Sequence, residues 1–147
     1  MKKTLTMITA ALLLSTSIFA NNAKNVNEKV NSAFAKDFSK ATDVNWEEKG
    51  DYYVANFKMG TTSIVAAYDT EGTLLAASRT IKLDMLPLAL TQALSAEYSS
   101  YQFASDVTEL SHEGSTSYYL TIANDKHVLY LKANANGDIR VESKTKK

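Results

Sequence analysis

Residues 62–81, TSIVAAYDTEGTLLAASRTI, decide the fold, because most of this stretch recurs 65 residues later as HVLYLKANANGDIRVESKT. Apolar residues alternate on both sides of a turn at residues 69–72, which predicts a β-hairpin. The turn ends in Gly72, and glycine reaches positive φ without a Cβ penalty. Residues 134–137 supply the matching turn in the second copy. Both turns share fragments of a calcium loop, but the other ligand positions of such a loop are not filled, so a plain turn is the better interpretation.

A helix is predicted ahead of each hairpin. Residues 25–39 place apolar side chains four positions apart, which is typical of a helix with one buried face. Asn25 and Glu28 resemble a capping box at its start. Residues 87–98 repeat the spacing 60 positions later and begin with Pro87, the only proline, which favours the first turn of a helix. Each helix therefore needs a sheet to cover its apolar face.

Tight turns divide the rest of the chain into strands, at residues 43–49, 52–58, 62–69 and 73–81 and again at 103–112, 117–123, 127–134 and 138–143. Short connections imply antiparallel neighbours. The predicted fold class is α+β, a tandem repeat of two α-β-β-β-β units, each a helix packed on a four-stranded antiparallel sheet. The predicted domains are a signal peptide at 1–20, a first α-β4 unit at 21–82 and a second at 83–147, with the two units forming one compact domain.

The start of the chain predicts export. Lys2 and Lys3 precede a short apolar run at residues 5–14, and a small residue, Ala20, follows at a site suited to cleavage. The run is too short to span a membrane, and no other stretch is long or apolar enough to do so. The chain has no cysteine, which excludes disulfides and a lipoprotein anchor. We therefore expect a periplasmic or secreted protein that is cleaved after Ala20, is not a lipoprotein and has no membrane span.

Composition and motifs argue against several functions. Without residues 1–20 the chain has 14 basic and 16 acidic residues, a net charge of −2, which argues against a nucleic-acid partner. The only histidines, His112 and His127, lie on predicted strands where a shared site is conceivable, but no metal-ligand spacing surrounds them and exposed strand ends are the better interpretation. No nucleophile motif or phosphate-binding glycine loop occurs. The sequence thus predicts no enzyme and no cofactor or metal.

Tyrosines mark a candidate binding surface. If the helices cover one face of each sheet, aromatic and branched side chains occupy the other face, as protein interfaces often require. The predicted binding residues on that face are Tyr52, Val65, Tyr119, Tyr130 and Lys132. The competing explanation is that strand propensity alone selects such residues.

Three motifs together resemble a known family. They are FSKATDVNWE at residues 38–47, YDTEGTL at 68–74, and the LP at 86–87 that opens a helix ending EYSSYQF at 97–103. The resemblance is to PepSY-like proteins, a family of exported bacterial proteins described as similar to the β-lactamase inhibitor protein, and it covers nearly the whole chain after residue 20. It implies tandem α/β units whose sheets form a saddle-shaped surface, and it implies no catalytic residues. The chain departs from the family at Ser39, where members often have proline, and it lacks the disulfides of the inhibitor.

These observations predict a non-enzymatic exported binding module that has an unidentified protein or peptide partner outside the cytoplasm and that inhibits or modulates this partner. The alternative from another class is a structural or assembly component of the cell envelope. An enzyme, which only the histidine pair supports, is the third possibility.

Overall fold

The structure, a computed structural model, describes residues 26–147. The predicted signal peptide and the predicted cap Asn25 lie outside the described residues. Two α-helices and nine strands occur within the described range: α1 (Glu28–Asp37), β1 (Thr42–Glu48), β2 (Tyr52–Met59), β3 (Thr62–Asp69), β4 (Leu74–Lys82), α2 (Leu88–Glu97), β5 (Gln102–Phe103), β6 (Asp106–His112), β7 (Ser115–Ala123), β8 (His127–Asn134) and β9 (Ile139–Lys146). A single 3₁₀ turn, Leu83–Met85, lies between β4 and α2.

The prediction of two separate four-stranded sheets is wrong. The strands form one nine-stranded sheet in the order β1-β2-β3-β4-β6-β7-β8-β9, with β5 paired to β7. The pairs β1–β2, β2–β3, β3–β4, β5–β7, β6–β7, β7–β8 and β8–β9 are antiparallel. The physical reason is the cost of open edges: a sheet that ended at β4 would expose a row of unpaired N–H and C=O groups, and so would one that began at β6. In the strand order these two strands are neighbours instead.

The chain nevertheless divides into two compact units after Arg79. In the first unit, α1 begins after Asn27, whose side-chain oxygen accepts a hydrogen bond from the Val30 N–H at 2.9 Å. The cap is therefore Asn27 and not Asn25 as predicted, because the carboxamide of Asn27 is the group that satisfies an amide of the first turn. Val30 and Phe34 on the buried face of α1 pack against one face of β2 and β3, in a cluster with Tyr53, Ala55, Phe57, Ala66 and Tyr68.

Aromatic rings surround Phe34 in this core. Its ring centroid lies 4.9 Å from that of Phe57 and 5.1 Å from that of Trp46, both in edge-to-face arrangements. Phe34 also meets Phe38 and Tyr68 at 5.6 and 6.3 Å. Edge-to-face pairs at these distances add to the stabilisation from burial alone. Trp46 thus packs against the core of the first unit.

In the second unit, Pro87 is the N-cap of α2 and makes no side-chain capping hydrogen bond. Proline suits the start of a helix, because its φ is fixed and it has no amide hydrogen that would need a partner. Leu90 and Leu94 on the inner face of α2 are buried in a cluster with Ile81, Leu86, Val107, Tyr118, Leu120, Ile122, Leu129, Leu131 and Ala133. The strand predicted at residues 103–112 is two strands, β5 and β6. The chain breaks between them because the Ala104 N–H bonds to the Thr121 carbonyl and the Ser105 carbonyl accepts from the Leu83 N–H, both at 3.0 Å.

Candidate functional site

Two tyrosines and a lysine meet on the sheet face that points away from α2. Tyr118 and Leu120 of β7 face the α2 cluster, so the alternation along the strand turns Tyr119 to the other side. Tyr119 pairs directly with Lys132 of β8, and Tyr130 is its diagonal neighbour. The Tyr119 and Tyr130 rings stack with centroids 5.9 Å apart and planes 25° apart. The Lys132 Nζ lies 5.5 Å from the centre of the Tyr119 ring, a cation–π distance. Tyr119, Tyr130 and Lys132 are called the aromatic cluster below.

The three members of the aromatic cluster differ in depth. Tyr119 is only 6% exposed, whereas Tyr130 and Lys132 are half-buried. Tyr119 therefore forms the buried base of the aromatic cluster. The atoms that a partner can contact belong mainly to Tyr130 and Lys132. A half-buried aromatic ring held by a stacked neighbour loses little side-chain entropy on binding, which is the property of an effective interface anchor.

Strand β9 adds a charged border to the aromatic cluster. Arg140 pairs with Lys132 in the β8–β9 register, and its Nε donates to the Glu142 Oε1 at 2.9 Å. Burial, then the neighbouring Tyr119 and Glu142, raise the pKa of Tyr130. The Tyr130 hydroxyl therefore remains protonated at physiological pH and keeps a hydrogen to donate. The sequence analysis missed Arg140 and Glu142, although the turn at residues 134–137 could have indicated the pairing of Arg140 with Lys132.

The predicted binding residues of the first unit do not form a cluster of this kind. Tyr52 pairs with Asp69, whereas Val65 pairs with Asn56 four positions further along β2. At the usual rise of a strand these places are roughly 13 Å apart. Both side chains are half-buried, on the face that points away from α1. The structure thus brings Tyr119, Tyr130 and Lys132 together and keeps Tyr52 and Val65 apart from each other.

The two histidines lie at opposite ends of β7. His112 pairs with Ser115, where β7 begins, whereas His127 lies one residue before Val128, the partner of Ala123 at the other end. Eight strand steps separate these ends, roughly 26 Å, so the histidines cannot share a ligand. His112 lies close to Glu113, with Nε2 and Oε2 3.7 Å apart. The strand register therefore rules out a site shared by His112 and His127, which the sequence analysis had considered.

Across residues 26–147, no group of three or more His, Asp or Glu side chains is placed so that it could hold a metal ion. None of the helices in that range is long and apolar enough to cross a membrane.

Solved structures from Bacteroides share this fold. A BLIP-like protein from Bacteroides fragilis NCTC 9343 superposes with a TM-score of 0.68 at 22% identity, over 83% of this chain and 86% of the other. A DUF2874 family protein from Bacteroides uniformis ATCC 8492 gives 0.67 at 19% identity, over 82% and 88% of the two chains. A predicted periplasmic protein from Bacteroides eggerthii DSM 20697 gives 0.67 at 19% identity, over 83% and 89%.

No protein-family model and no curated protein matches the sequence. At such identities the structural likeness concerns the fold alone. The fold is thus BLIP-like, as the sequence resemblance implied in part, and membership of the PepSY-like family stays a prediction.

Proposed function

We propose that this protein is a non-enzymatic binding module that acts outside the cytoplasm and uses the aromatic cluster to hold a partner protein. The observation that carries the proposal is the stacked pair of Tyr119 and Tyr130 beside Lys132 on a sheet face that α2 does not cover. Tyrosine and arginine are enriched at the centres of protein interfaces, and on this face Arg140 pairs with Lys132 of the aromatic cluster.

The chemistry of the surface suits a protein partner. Tyr130 offers an apolar ring and a hydroxyl donor, while Lys132 and Arg140 offer positive charge beside the single acid Glu142. Such a mixed surface binds an apolar side chain at its centre and carboxylates or carbonyl groups at its border.

Export and the effect on the partner are parts of the same proposal. The periplasmic neighbour supports a location outside the cytoplasm, and the BLIP-like fold supports a binding role in which this protein inhibits or modulates its partner. Cleavage after Ala20 would be supported by an intact mass of the exported protein that begins at Asn21. A mass that includes residues 1–20 would contradict it.

The test is capture of proteins from a cell-envelope extract with the purified protein and with Tyr130→Ala. Leu74→Ala is the matched control, because Leu74 is an exposed apolar residue of the first unit. We expect one foreign protein to be retained in stoichiometric amount by the wild type and by Leu74→Ala, and to be lost with Tyr130→Ala. Equal retention by all three proteins, or capture of nothing but the protein itself, would contradict the proposal.

A further inference from the structure

The outer surface of α2 is unusual for a helix exposed to water. In the ten residues of α2, LALTQALSAE, the only charged side chain is Glu97, whereas the ten residues of α1 include Glu28, Lys29, Lys36 and Asp37. The outward positions of α2 are exposed, and they are occupied by leucine, alanine, threonine, glutamine and serine. Surface helices normally place charged residues on their solvent side, and a helix that lacks them is usually covered.

Large apolar side chains are exposed beside this surface. Leu88, the first residue of α2, is 73% exposed, and Met85 in the preceding turn is 60% exposed. They are the two most exposed large apolar side chains of the described residues. Leaving them in water forfeits most of the stabilisation that burial of a leucine or methionine gives.

A cavity lies on the same side of α2. It has a volume of about 100 Å³ and is lined by Leu83, Leu86, Thr91, Leu94, Ser95 and Phe103. The Thr91 hydroxyl donates to the Pro87 carbonyl at 3.2 Å, and the Ser95 hydroxyl donates to the Thr91 carbonyl at 2.9 Å. Both hydroxyl hydrogens are thus used within the helix, and the cavity offers apolar walls. A cavity of roughly 150 Å³ with such walls holds benzene, so this one suits an aliphatic side chain of about four carbons.

We propose that α2 packs antiparallel against α2 of a second copy of this chain, with Leu88 of each copy in the cavity of the other. An interface on a two-fold axis joins identical patches, so one chain must supply both the protruding group and its receptor. Leu88 has four side-chain carbons and the cavity has the matching volume. With the axis at residues 91–92, Leu88 of one copy lies opposite Ser95 of the other, which lines the cavity.

The composition of α2 favours a second copy over a charged partner. Thr91 and Ser95 are small, so two helix backbones can approach closely at the crossing point. The near absence of charge means that identical surfaces do not repel each other, as two copies of α1 would through paired like charges.

The dimer leaves the aromatic cluster free, because that cluster lies on the sheet face away from α2. Each dimer then presents two binding sites, which raises the apparent affinity for a partner that carries two epitopes.

The chain contains no cysteine, so single cysteines can map the contact directly. Leu88→Cys and Ser95→Cys proteins are mixed and oxidised, with Leu74→Cys as the control for an exposed apolar site elsewhere. The antiparallel crossing brings residues 88 and 95 of different copies within disulfide reach. We expect the mixture to form more covalent dimer than either variant alone and more than any mixture with Leu74→Cys. Equal cross-linking in all mixtures would overturn the proposal.

Sedimentation equilibrium provides the independent measurement. We expect the purified wild type to be dimeric at micromolar concentration, and Leu88→Glu to dissociate at least roughly a hundredfold more readily, since two buried leucines are lost per dimer. Leu88 is exposed in the single chain, so the variant should melt like the wild type at concentrations low enough for both proteins to be monomeric. A wild type that stays monomeric to millimolar concentration, or a dimer that Leu88→Glu does not weaken, would refute the model. Binding of α2 to lipid vesicles or to a foreign helix by a monomeric protein would refute it as well.

Discussion

Gly72 holds the turn between β3 and β4 directly against α1. Its φ of +84° lies in the left-handed region, and a Cβ built on it would lie 2.8 Å from the Lys29 carbonyl oxygen. The Gly72 N–H donates to the Asp69 carbonyl at 3.1 Å, and the Asp69 carboxylate accepts from the Glu71 and Thr73 amides. The same residue therefore closes the hairpin and sets how near the turn comes to the helix.

Gly72→Ala should lower the free energy of unfolding far more than Gly60→Ala. Gly60 also has positive φ, at +61°, but nothing lies within 4 Å of a Cβ built there. Gly60→Ala, the control, should therefore lower the free energy of unfolding only by the cost of a left-handed backbone conformation, about 1–2 kcal/mol. Gly72→Ala carries the same cost and also forces the turn away from α1. Denaturant unfolding of both variants measures the difference. Equal losses would show that the turn is not in close contact with the helix.

Tyr68 links the core of the first unit to the end of α1. It is fully buried, and its hydroxyl donates to the Asp37 Oδ2 at 2.8 Å. Burial first, and then the hydrogen bond to Asp37 and its charge, raise the pKa of Tyr68 above its usual value. The folded protein therefore keeps this proton at a pH where the unfolded chain, with a tyrosine pKa of about 10, has lost it.

Stability should consequently fall as the pH rises above about 10. In that range the unfolded chain binds fewer protons than the folded one, so one such group lowers the free energy of unfolding by up to about 1.4 kcal/mol per pH unit. Tyr68→Phe should be less stable by about 1 kcal/mol at pH 8 and should lose less stability between pH 10 and 11 than the wild type. Urea unfolding at the three pH values measures both effects. Identical slopes in the two proteins would contradict the raised pKa.

Each helix depends on one large inner side chain. Phe34 is buried among four aromatic rings, and Leu94 is buried in the second cluster. Phe34→Ala and Leu94→Ala should therefore destabilise by comparable amounts, roughly 2–5 kcal/mol, because each leaves a cavity in a packed core. Lys36→Ala and Glu97→Ala, exposed positions on the same two helices, should change the free energy of unfolding by less than about 0.5 kcal/mol. A core variant as mild as its control in denaturant unfolding would mean that its helix does not pack on the sheet.

The helices and hairpins were predictable because their signals are local. Apolar residues spaced four apart around Phe34 indicate one face of a helix, and Gly72 indicates a tight turn. Both signals lie within a few residues of the structure that they predict. The adjacent placement of β4 and β6 in the sheet could not be predicted in this way. The two strands are separated by a helix in the sequence, and the contacts that pair them do not appear as a periodic pattern in either strand. The β5–β6 break was missed for the same reason, since it rests on hydrogen bonds from Leu83 and to Thr121.

The sequence predicted that three of the five candidate residues share a sheet face, but it did not predict their depth. Alternation along β7 and β8 correctly indicated that Tyr119, Tyr130 and Lys132 share a face. Tyr119 is buried because the side chains of Tyr130 and Lys132 on the neighbouring strand lie over it. The pattern of residues along β7 alone gives no information about them. A regular continuation of the Lys132–Arg140 pairing would place Glu142 opposite Tyr130, but a register irregularity between Tyr130 and Leu131 makes Ser143 the partner of Tyr130, and the sequence does not mark this irregularity with a glycine.

For the whole molecule, the central claim is that the sheet face with the aromatic cluster binds a partner protein. Tyr119 is not the residue with which to test it. Because Tyr119 is buried, Tyr119→Ala should reduce both stability and affinity, and the two causes could not be separated. Tyr130 is half-buried and stacks over Tyr119, so its ring contributes contact area without carrying the core.

The most direct measurement is a calorimetric titration of the captured partner with the wild type, Tyr130→Ala and the control Leu74→Ala, with thermal melts of all three proteins. Interface anchors of this type cost about 2 kcal/mol when cut to alanine, so Tyr130→Ala should raise Kd roughly thirtyfold. Leu74→Ala should leave Kd unchanged, and all three melts should be similar. An unchanged Kd for Tyr130→Ala, with the partner still bound at one site per chain, would contradict the claim.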